Sequence, residues 1–294
     1  MSIEGRKTMI RLSAFADEAS ASLDGQIEAL LRNGIGYIDV RSIEGKNVLD
    51  FTLEEAFEYN SRLKAAGIRV YSIGSPIGKV EIGCDFSEYL KKAEHICKLA
   101  LAFETDRIRM FSFFEAYGEE EKVIEYLKAL VAVADKYGVK LYHENEKKIF
   151  GDTAERTVKI LDSVAGLHSI YDPANFVEVG EDMNLALELL HARTEHFHIK
   201  DVIRATGELV PSGYGDGMIR ELVERIDPEC PEMVLTLEPH LAIFEGYAAI
   251  DSTEMKNKFT FSTNGEAFDA AVNALKTVLS EVGYIENNGG YIRK

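Results

Sequence analysis

The sequence predicts an α/β chain of the (β/α)8 TIM barrel class, folded as a single domain, and three observations predict it. Short apolar β-type runs alternate with helical stretches eight times, the pattern of parallel strands joined by helical crossovers. A length of 294 residues suits one such barrel, which takes about 250 residues. The rival open sheet that binds nucleotides carries a glycine-rich turn after its first strand. Here that segment is Phe15-Ala16-Asp17-Glu18-Ala19-Ser20, and neither of the common glycine-rich phosphate motifs occurs anywhere in the chain.

The elements follow in order. Ile10 to Ala14 is the first strand, and its helix runs from Leu23 to Arg32, stopped by Asn33-Gly34. Tyr37 to Val40 is the second strand. Its helix, Leu53 to Ala66, has Thr52 as N-cap and Gly67 as stop. Ile68 to Ser72 and Arg107 to Phe113 are strands three and four, with helices from Phe86 to Phe103 and from Glu119 to Tyr137, the latter closed by Gly138. Val139 to His143, Ser169 to Tyr171, Glu195 to Ile199 and Met233 to Leu237 complete the strands. Their helices are Thr153 to Val164, Leu185 to His191, Ile219 to Arg225 and Gly265 to Val282. The barrel domain is thus expected over residues 9–284. Residues 1–8 are read as an extension, since Ile3-Glu4-Gly5-Arg6 matches a protease site often engineered into recombinant chains. Residues 285–294, with Asn287-Asn288-Gly289-Gly290, are read as a tail. The stretch from Ala242 to Asn264 is the longest without a helical or strand pattern and is expected to be a lid or binding loop.

Composition narrows the function. Hydrophobic residues make up 46% of the chain, enough for a sizeable core. No apolar run approaches the roughly 18 residues a membrane helix needs, and no signal core follows the N-terminal basic residues, so no membrane partner is expected. Cys84, Cys97 and Cys230 show no CxxC spacing, which suits reduced thiols and a cytoplasmic location. With 33 Lys and Arg against 50 Asp and Glu the net charge is −17, which argues against nucleic acid as a partner but not against a small anionic ligand. Barrel helices often pair, so a homo-oligomer is compatible with the sequence.

In a barrel, chemistry sits at the C-terminal ends of the strands. Strand five ends in His143-Glu144-Asn145-Glu146 and strand six in Asp172-Pro173-Ala174-Asn175. Strand seven reads His196-Phe197-His198-Ile199-Lys200-Asp201, and strand eight ends in Glu238-Pro239-His240. Four consecutive strands therefore deliver carboxylate, carboxylate, imidazole and carboxylate to one rim. Burying like charges together is costly unless a cation compensates them. A divalent ion is the economical choice, and one imidazole with three carboxylates suits Mn²⁺, Mg²⁺, Zn²⁺ or Co²⁺. Taken singly, each group has a plainer role open to it as a helix cap or ion-pair partner. His196 shares the parity of His198 and is expected one layer deeper; His143 is expected to pack toward the helices.

These residues resemble the xylose isomerase-like TIM barrels, in particular the sugar phosphate isomerase/epimerase group, over almost the whole chain. The carriers are Phe15-Ala16-Asp17-Glu18, Asp39-Val40-Arg41, Gly74-Ser75-Pro76-Ile77-Gly78-Lys79 and Arg109-Met110-Phe111-Ser112, together with the four strand ends above and Gly213-Tyr214-Gly215-Asp216-Gly217. The resemblance implies one divalent metal held by Glu144, Asp172, His198 and Glu238, with Glu144 and Glu238 also moving protons. It implies isomerisation or epimerisation of a sugar, sugar phosphate or small hydroxy-ketone through a metal-stabilised enediolate. Lys200 and Asp201 are placed to bind substrate oxygens or orient the imidazole, and His240 to face the substrate. Arg41, Lys79 and Arg109 are placed to hold a phosphate or carboxylate, or equally to pair with nearby acids. Asn175 stands with the substrate-binding residues, yet it is a departure: ketohexose 3-epimerases of this superfamily usually have histidine there. Two alternatives stay open, a metal-dependent lyase or dehydratase of an inosose-type polyol ketone, and a non-catalytic sugar-binding barrel.

Overall fold

The computed structural model describes residues 8–226, 232–244, 256 and 259–294. Most of the loop expected from Ala242 to Asn264 lies outside them, as do the first seven residues and Cys230. Eight parallel strands form the barrel: β1 (Met9–Ala14), β2 (Tyr37–Val40), β3 (Arg69–Ile73), β4 (Arg107–Met110), β5 (Lys140–Glu144), β6 (Leu167–Tyr171), β7 (Thr194–Ile199) and β8 (Glu232–Leu237). Each from β2 to β8 is hydrogen-bonded to its successor, and β8 pairs with β1 over its whole length, Met9 opposite Glu232 and Ala14 opposite Leu237. The ring closes where β1 lies beside β2 without a ladder.

The helices are α1 (Leu23–Arg32), α2 (Leu53–Ala65), α3 (Phe86–Ala102), α4 (Glu120–Tyr137), α5 (Ala154–Ser163), α6 (Pro173–Glu178), α7 (Met183–Leu190), α8 (Ile219–Glu224) and α9 (Asn264–Glu281). Their starts obey local chemistry. Thr52 and Glu55 form a reciprocal capping box at α2, and Thr153 and Thr263 cap α5 and α9 through their hydroxyls. Gly138 ends α4 in the left-handed region at φ 67°. The first and last helices are joined by a fork in which Arg32 donates to both oxygens of Asp269.

Among the described residues, three hairpins and the short helix α6 have no counterpart in the periodicity. Ser42–Ile43 with Lys46–Asn47, and Asp201–Ile203 with Glu208–Val210, are hairpins above the barrel strands. Residues 284–293, all but the first of them read as a tail from their Asn and Gly content, form a third. Tyr284–Asn287 folds back on Gly290–Arg293, which pairs antiparallel with Met9 and Ile10 at the free edge of β1. A strand edge without a partner is thereby covered.

The interior is graded. The space between barrel and helices is filled by apolar side chains such as Ile38, Leu63, Ile96, Phe103, Leu127 and Phe268, all buried. The upper part of the barrel is polar instead. Asp39 accepts from the hydroxyls of Ser13, Ser72 and Thr236, and His196 Nε2 lies 2.8 Å from Thr236 Oγ1. This polar layer is the floor on which the candidate site stands.

Candidate active site

Strands β5 to β8 run in parallel, with one register shift between β6 and β7 at Ser169 and Ile170, and their last residues reach one rim. Glu144 ends β5, Asp172 follows β6 as the N-cap of α6, His198 lies near the end of β7, and Glu238 follows β8. One donor atom from each lies within 4.8 Å of the others, and all four side chains are buried. His198 Nδ1 is 2.7 Å from Glu144 Oε1 and 3.0 Å from Glu238 Oε2. Glu144 Oε2, Asp172 Oδ2 and Glu238 Oε2 are shielded from solvent and accept no hydrogen bond.

Around this cup the remaining residues form a collar of charge. Arg41 donates to Asp17, Glu18 and Glu238, the last through Nη1 to Oε1 at 2.8 Å. Its guanidinium lies between the rings of Phe15 and Phe244, 4.5 and 4.9 Å from their centroids. Arg109 Nη1 stands 3.2 Å from Glu144 Oε2 and 3.5 Å from Glu238 Oε1. Lys200 Nζ is 3.0 Å from Asp172 Oδ2 and donates to Asn175 Oδ1 at 2.9 Å. The Asn175 amide donates to Asn145 O, and Asn145 in turn pairs with the backbone of Asp172 in both directions. His240 Nε2 lies 3.3 Å from Glu18 Oε1 and 3.5 Å from Glu238 Oε1. Its backbone is left-handed at φ 47°, and its N–H donates to Glu18 Oε2. Such a conformation in a non-glycine residue costs about 1–3 kcal/mol and persists where surrounding contacts hold it.

Counted as ionised, five carboxylates (Asp17, Glu18, Glu144, Asp172, Glu238) face three cations (Arg41, Arg109, Lys200). Burial answers the excess by drawing in protons. It pushes Glu18 up to about 8 against the pull of Arg41, and Asp172 up to about 7 against Lys200. Burial alone would depress His198, yet Glu144 and Glu238 hold its imidazole up at about 10. The cluster therefore attracts positive charge to its centre. Oxygen donors that accept no hydrogen bond, a ring nitrogen among them and a cluster of buried carboxylates that draws in positive charge together fit a divalent ion.

The sequence-derived residues divide into three groups. Glu144, Asp172, His198 and Glu238 converge, with Arg41, Arg109, Lys200, Asn175 and His240 in contact around them. Lys79 lies farther up, paired with Glu146 at 2.9 Å and 4.5 Å from the Phe111 ring centroid. Asp201 is held apart: its carboxylate accepts from the N–H groups of Gly213, Gly215, Gly217 and Val202 at 2.9–3.0 Å. Asp17, Glu18 and Phe15 also border the cup through Arg41, a role that the motif containing them does not reveal in the sequence. The signal was a pair of acids directly after a strand end, the same signal that singled out strands five, six and eight. His143 faces the other way, its Nε2 2.9 Å from Ser112 Oγ. A cleft of about 790 Å³ beside Tyr214, Arg220 and Glu281 on the outer surface holds none of the four donors.

A family model described as a xylose isomerase-like TIM barrel matches residues 27–255. Among solved structures, the probable 3-DHS dehydratase AsbF from Bacillus anthracis is 16% identical, the alignment covering 90% of this chain and 98% of that one with a TM-score of 0.69. The IOLI protein with a bound zinc atom is 16% identical over 92% of this chain and 98% of its own, TM-score 0.71. An L-ribulose 3-epimerase is 15% identical over 94% of this chain and 95% of its own, also at 0.71. These likenesses are likenesses of fold. No curated protein matches the chain significantly.

Proposed function

Because this chain belongs to the xylose isomerase-like TIM barrel family, we propose that it is a divalent-metal-dependent isomerase or epimerase of a sugar, sugar phosphate or small hydroxy-ketone. The observation that carries the proposal is the buried convergence of Glu144, Asp172, His198 and Glu238 within 4.8 Å. These four residues would hold the ion. When bound, such an ion withdraws charge from a carbonyl and its neighbouring hydroxyl and so makes the adjoining C–H acidic.

The side chains of this protein then do the rest. Glu144 and Glu238 face each other across the cup, and each has one anchored oxygen and one that accepts no hydrogen bond. An ionised oxygen of this kind can take a proton from carbon and return it. Return to the neighbouring carbon gives isomerisation; return to the opposite face gives epimerisation. Arg109 touches both carboxylates. Burial would raise both, but His198 with Arg109 at Glu144, and His198 with His240, Lys200 and Arg109 at Glu238, hold them below the usual range, ionised as a base must be. Lys200 positions Asn175 and Asp172 together.

A second reading is favoured by one residue. Asn175 stands where ketohexose 3-epimerases of this superfamily usually have histidine, and both ends of its amide are engaged by Lys200 and Asn145. A dehydratase, as the name of the AsbF protein suggests for that neighbour, needs the same first proton abstraction but expels water. Reconstitution with Mn²⁺ followed by metal analysis and incubation with a ketose panel in heavy water tests both. One bound ion per chain and deuterium uptake at carbon support the proposal. Loss of a water mass marks the dehydratase. Failure to bind any divalent ion rejects both readings, and ligand-induced stabilisation without turnover or exchange marks a binding barrel.

A further inference from the structure

We propose that Asp39, Thr236 and His196 form a positioning relay beneath the cup, which keeps a hydrogen on Nε2 of His198 and so leaves Nδ1 to face the ion. The inference rests on the reading of the cup as a metal site and reaches beyond its four donors. It starts from the two nitrogens of His198. Nδ1 lies in the cup, 2.7 Å from Glu144 Oε1 and 3.0 Å from Glu238 Oε2. Nε2 is shielded from solvent and makes no hydrogen bond among the described residues. An imidazole offers a metal the nitrogen that bears no hydrogen, and the surroundings of the other nitrogen decide which one that is.

The floor supplies a hydrogen-bonded chain with one direction. Asp39 on β2 accepts from the hydroxyls of Ser13, Ser72 and Thr236. Thr236 gives its only hydrogen to Asp39 Oδ2 at 2.9 Å, so its oxygen accepts from His196 Nε2 at 2.8 Å. A neutral imidazole that donates at Nε2 carries its lone pair at Nδ1. His196 Nδ1 is likewise shielded and makes no hydrogen bond among the described residues. The rings of His196 and His198 lie 5.0 Å apart at 77°. One donor atom each from Asp39, His196 and His198 lies within 4.8 Å of the others, and all three residues are buried. Tyr71 and Phe15 pack edge-on against His196 and His198, 4.8 and 5.2 Å between centroids, and support the two rings in these planes. His198 Nε2 thus has a lone pair and a carboxylate beside it, and both favour a hydrogen there. When an ion occupies the cup, Nδ1 yields its proton and Nε2 keeps its own. The reverse tautomer would turn an N–H toward the ion and a lone pair toward Asp39.

The test uses the full chain loaded with Zn²⁺, which is diamagnetic, beside Thr236→Val and Thr236→Ser. Long-range proton–nitrogen NMR spectra of histidine-labelled protein read which nitrogen of His198 carries hydrogen, and competition titration reads Zn²⁺ affinity. In the wild type the hydrogen is expected on Nε2. Thr236→Val keeps the shape of the side chain but removes the hydroxyl, and Zn²⁺ affinity is expected to fall by about 10–100-fold. Thr236→Ser returns the hydroxyl and is expected to restore most of that affinity. Hydrogen on Nδ1 of the loaded wild type overturns the inference. So does an undiminished affinity in Thr236→Val, or a loss shared equally by Thr236→Val and Thr236→Ser, which would mark a packing effect. Should Thr236→Val fail to fold, the wild-type ring spectrum decides alone. A wild type that binds no Zn²⁺ rejects the metal reading of the cup and the relay with it, whereas a wild type that binds Zn²⁺ with the wrong tautomer rejects the relay only.

Discussion

Arg41 Nη1 donates to Glu238 Oε1 at 2.8 Å, and both side chains are almost wholly withdrawn from solvent. The two residues lie 197 positions apart in the chain, on β2's end and after β8. The bond fixes one oxygen of a proposed base while the other accepts no hydrogen bond. It also makes the guanidinium a structural keystone, since Asp17 and Glu18 lean on it as well.

Replacing Arg41 by methionine therefore leaves three buried carboxylates without their main counter-charge. Breaking a buried pair from one side costs about 3–5 kcal/mol. Urea denaturation of Arg41→Met is expected to show a loss of that size, with Arg41→Lys falling between it and the wild type. A loss under about 1 kcal/mol would mean that the acids are protonated or solvated without Arg41.

Glu238→Gln keeps the shape of the side chain and removes its charge. Arg41 retains Asp17 and Glu18, so the fold is expected to survive, as near-ultraviolet circular dichroism would show. Deuterium exchange at substrate carbon is expected to fall by about 10²–10⁴-fold. Exchange at the wild-type rate would take Glu238 out of the proton transfer.

Gly215→Ala puts a methyl group 2.3 Å from Asp201 Oδ1 and 2.7 Å from the Val202 carbonyl oxygen. Neither atom is the tip of a flexible chain, so the loop must move. Overpacking of this kind costs about 1–3 kcal/mol, to be read as a lowered melting temperature. An unshifted melting curve would show that the loop yields freely around Asp201.

The fork between Arg32 and Asp269, which joins the first helix to the last, gives a pH dependence with a definite sign. Burial would raise Asp269, but hydrogen bonds from Arg32 and Asn33 outweigh it and hold the carboxyl below its ordinary value. A carboxyl depressed in the folded state contributes stability above its unfolded pKa of about 3.9, and that contribution is lost as pH falls through the folded value. With both partners about a third exposed or more, the fork is worth about 0.5–1 kcal/mol. Asp269→Asn is expected to be less stable than wild type by that amount at pH 7, and the gap should close on acidification below pH 3. A gap that persists in acid would assign the difference to packing.

The barrel was legible because its determinants are local. Alternating runs, Thr52 with Glu55, and Gly138 after α4 depend on residues a few positions apart, so their bonds form whatever the distant chain does. The four donors were legible for a related reason: equal strand ends in a parallel barrel must share a rim. What tertiary structure decided was which charge meets which. Arg41, Arg109 and Lys79 read equally well as phosphate holders and as ion-pair partners, and only the folded distances join them to Glu238, Glu144 and Glu146. Asp201 read as a group that binds substrate oxygens or orients the imidazole because it follows His198, yet a glycine loop twelve to sixteen residues later encloses its carboxylate. The hairpin of residues 284–293 read as a tail because nothing in its own sequence names β1 as a partner. Coulomb energy and hydrogen bonding depend on separation in space, and a sequence specifies that separation only through the complete fold.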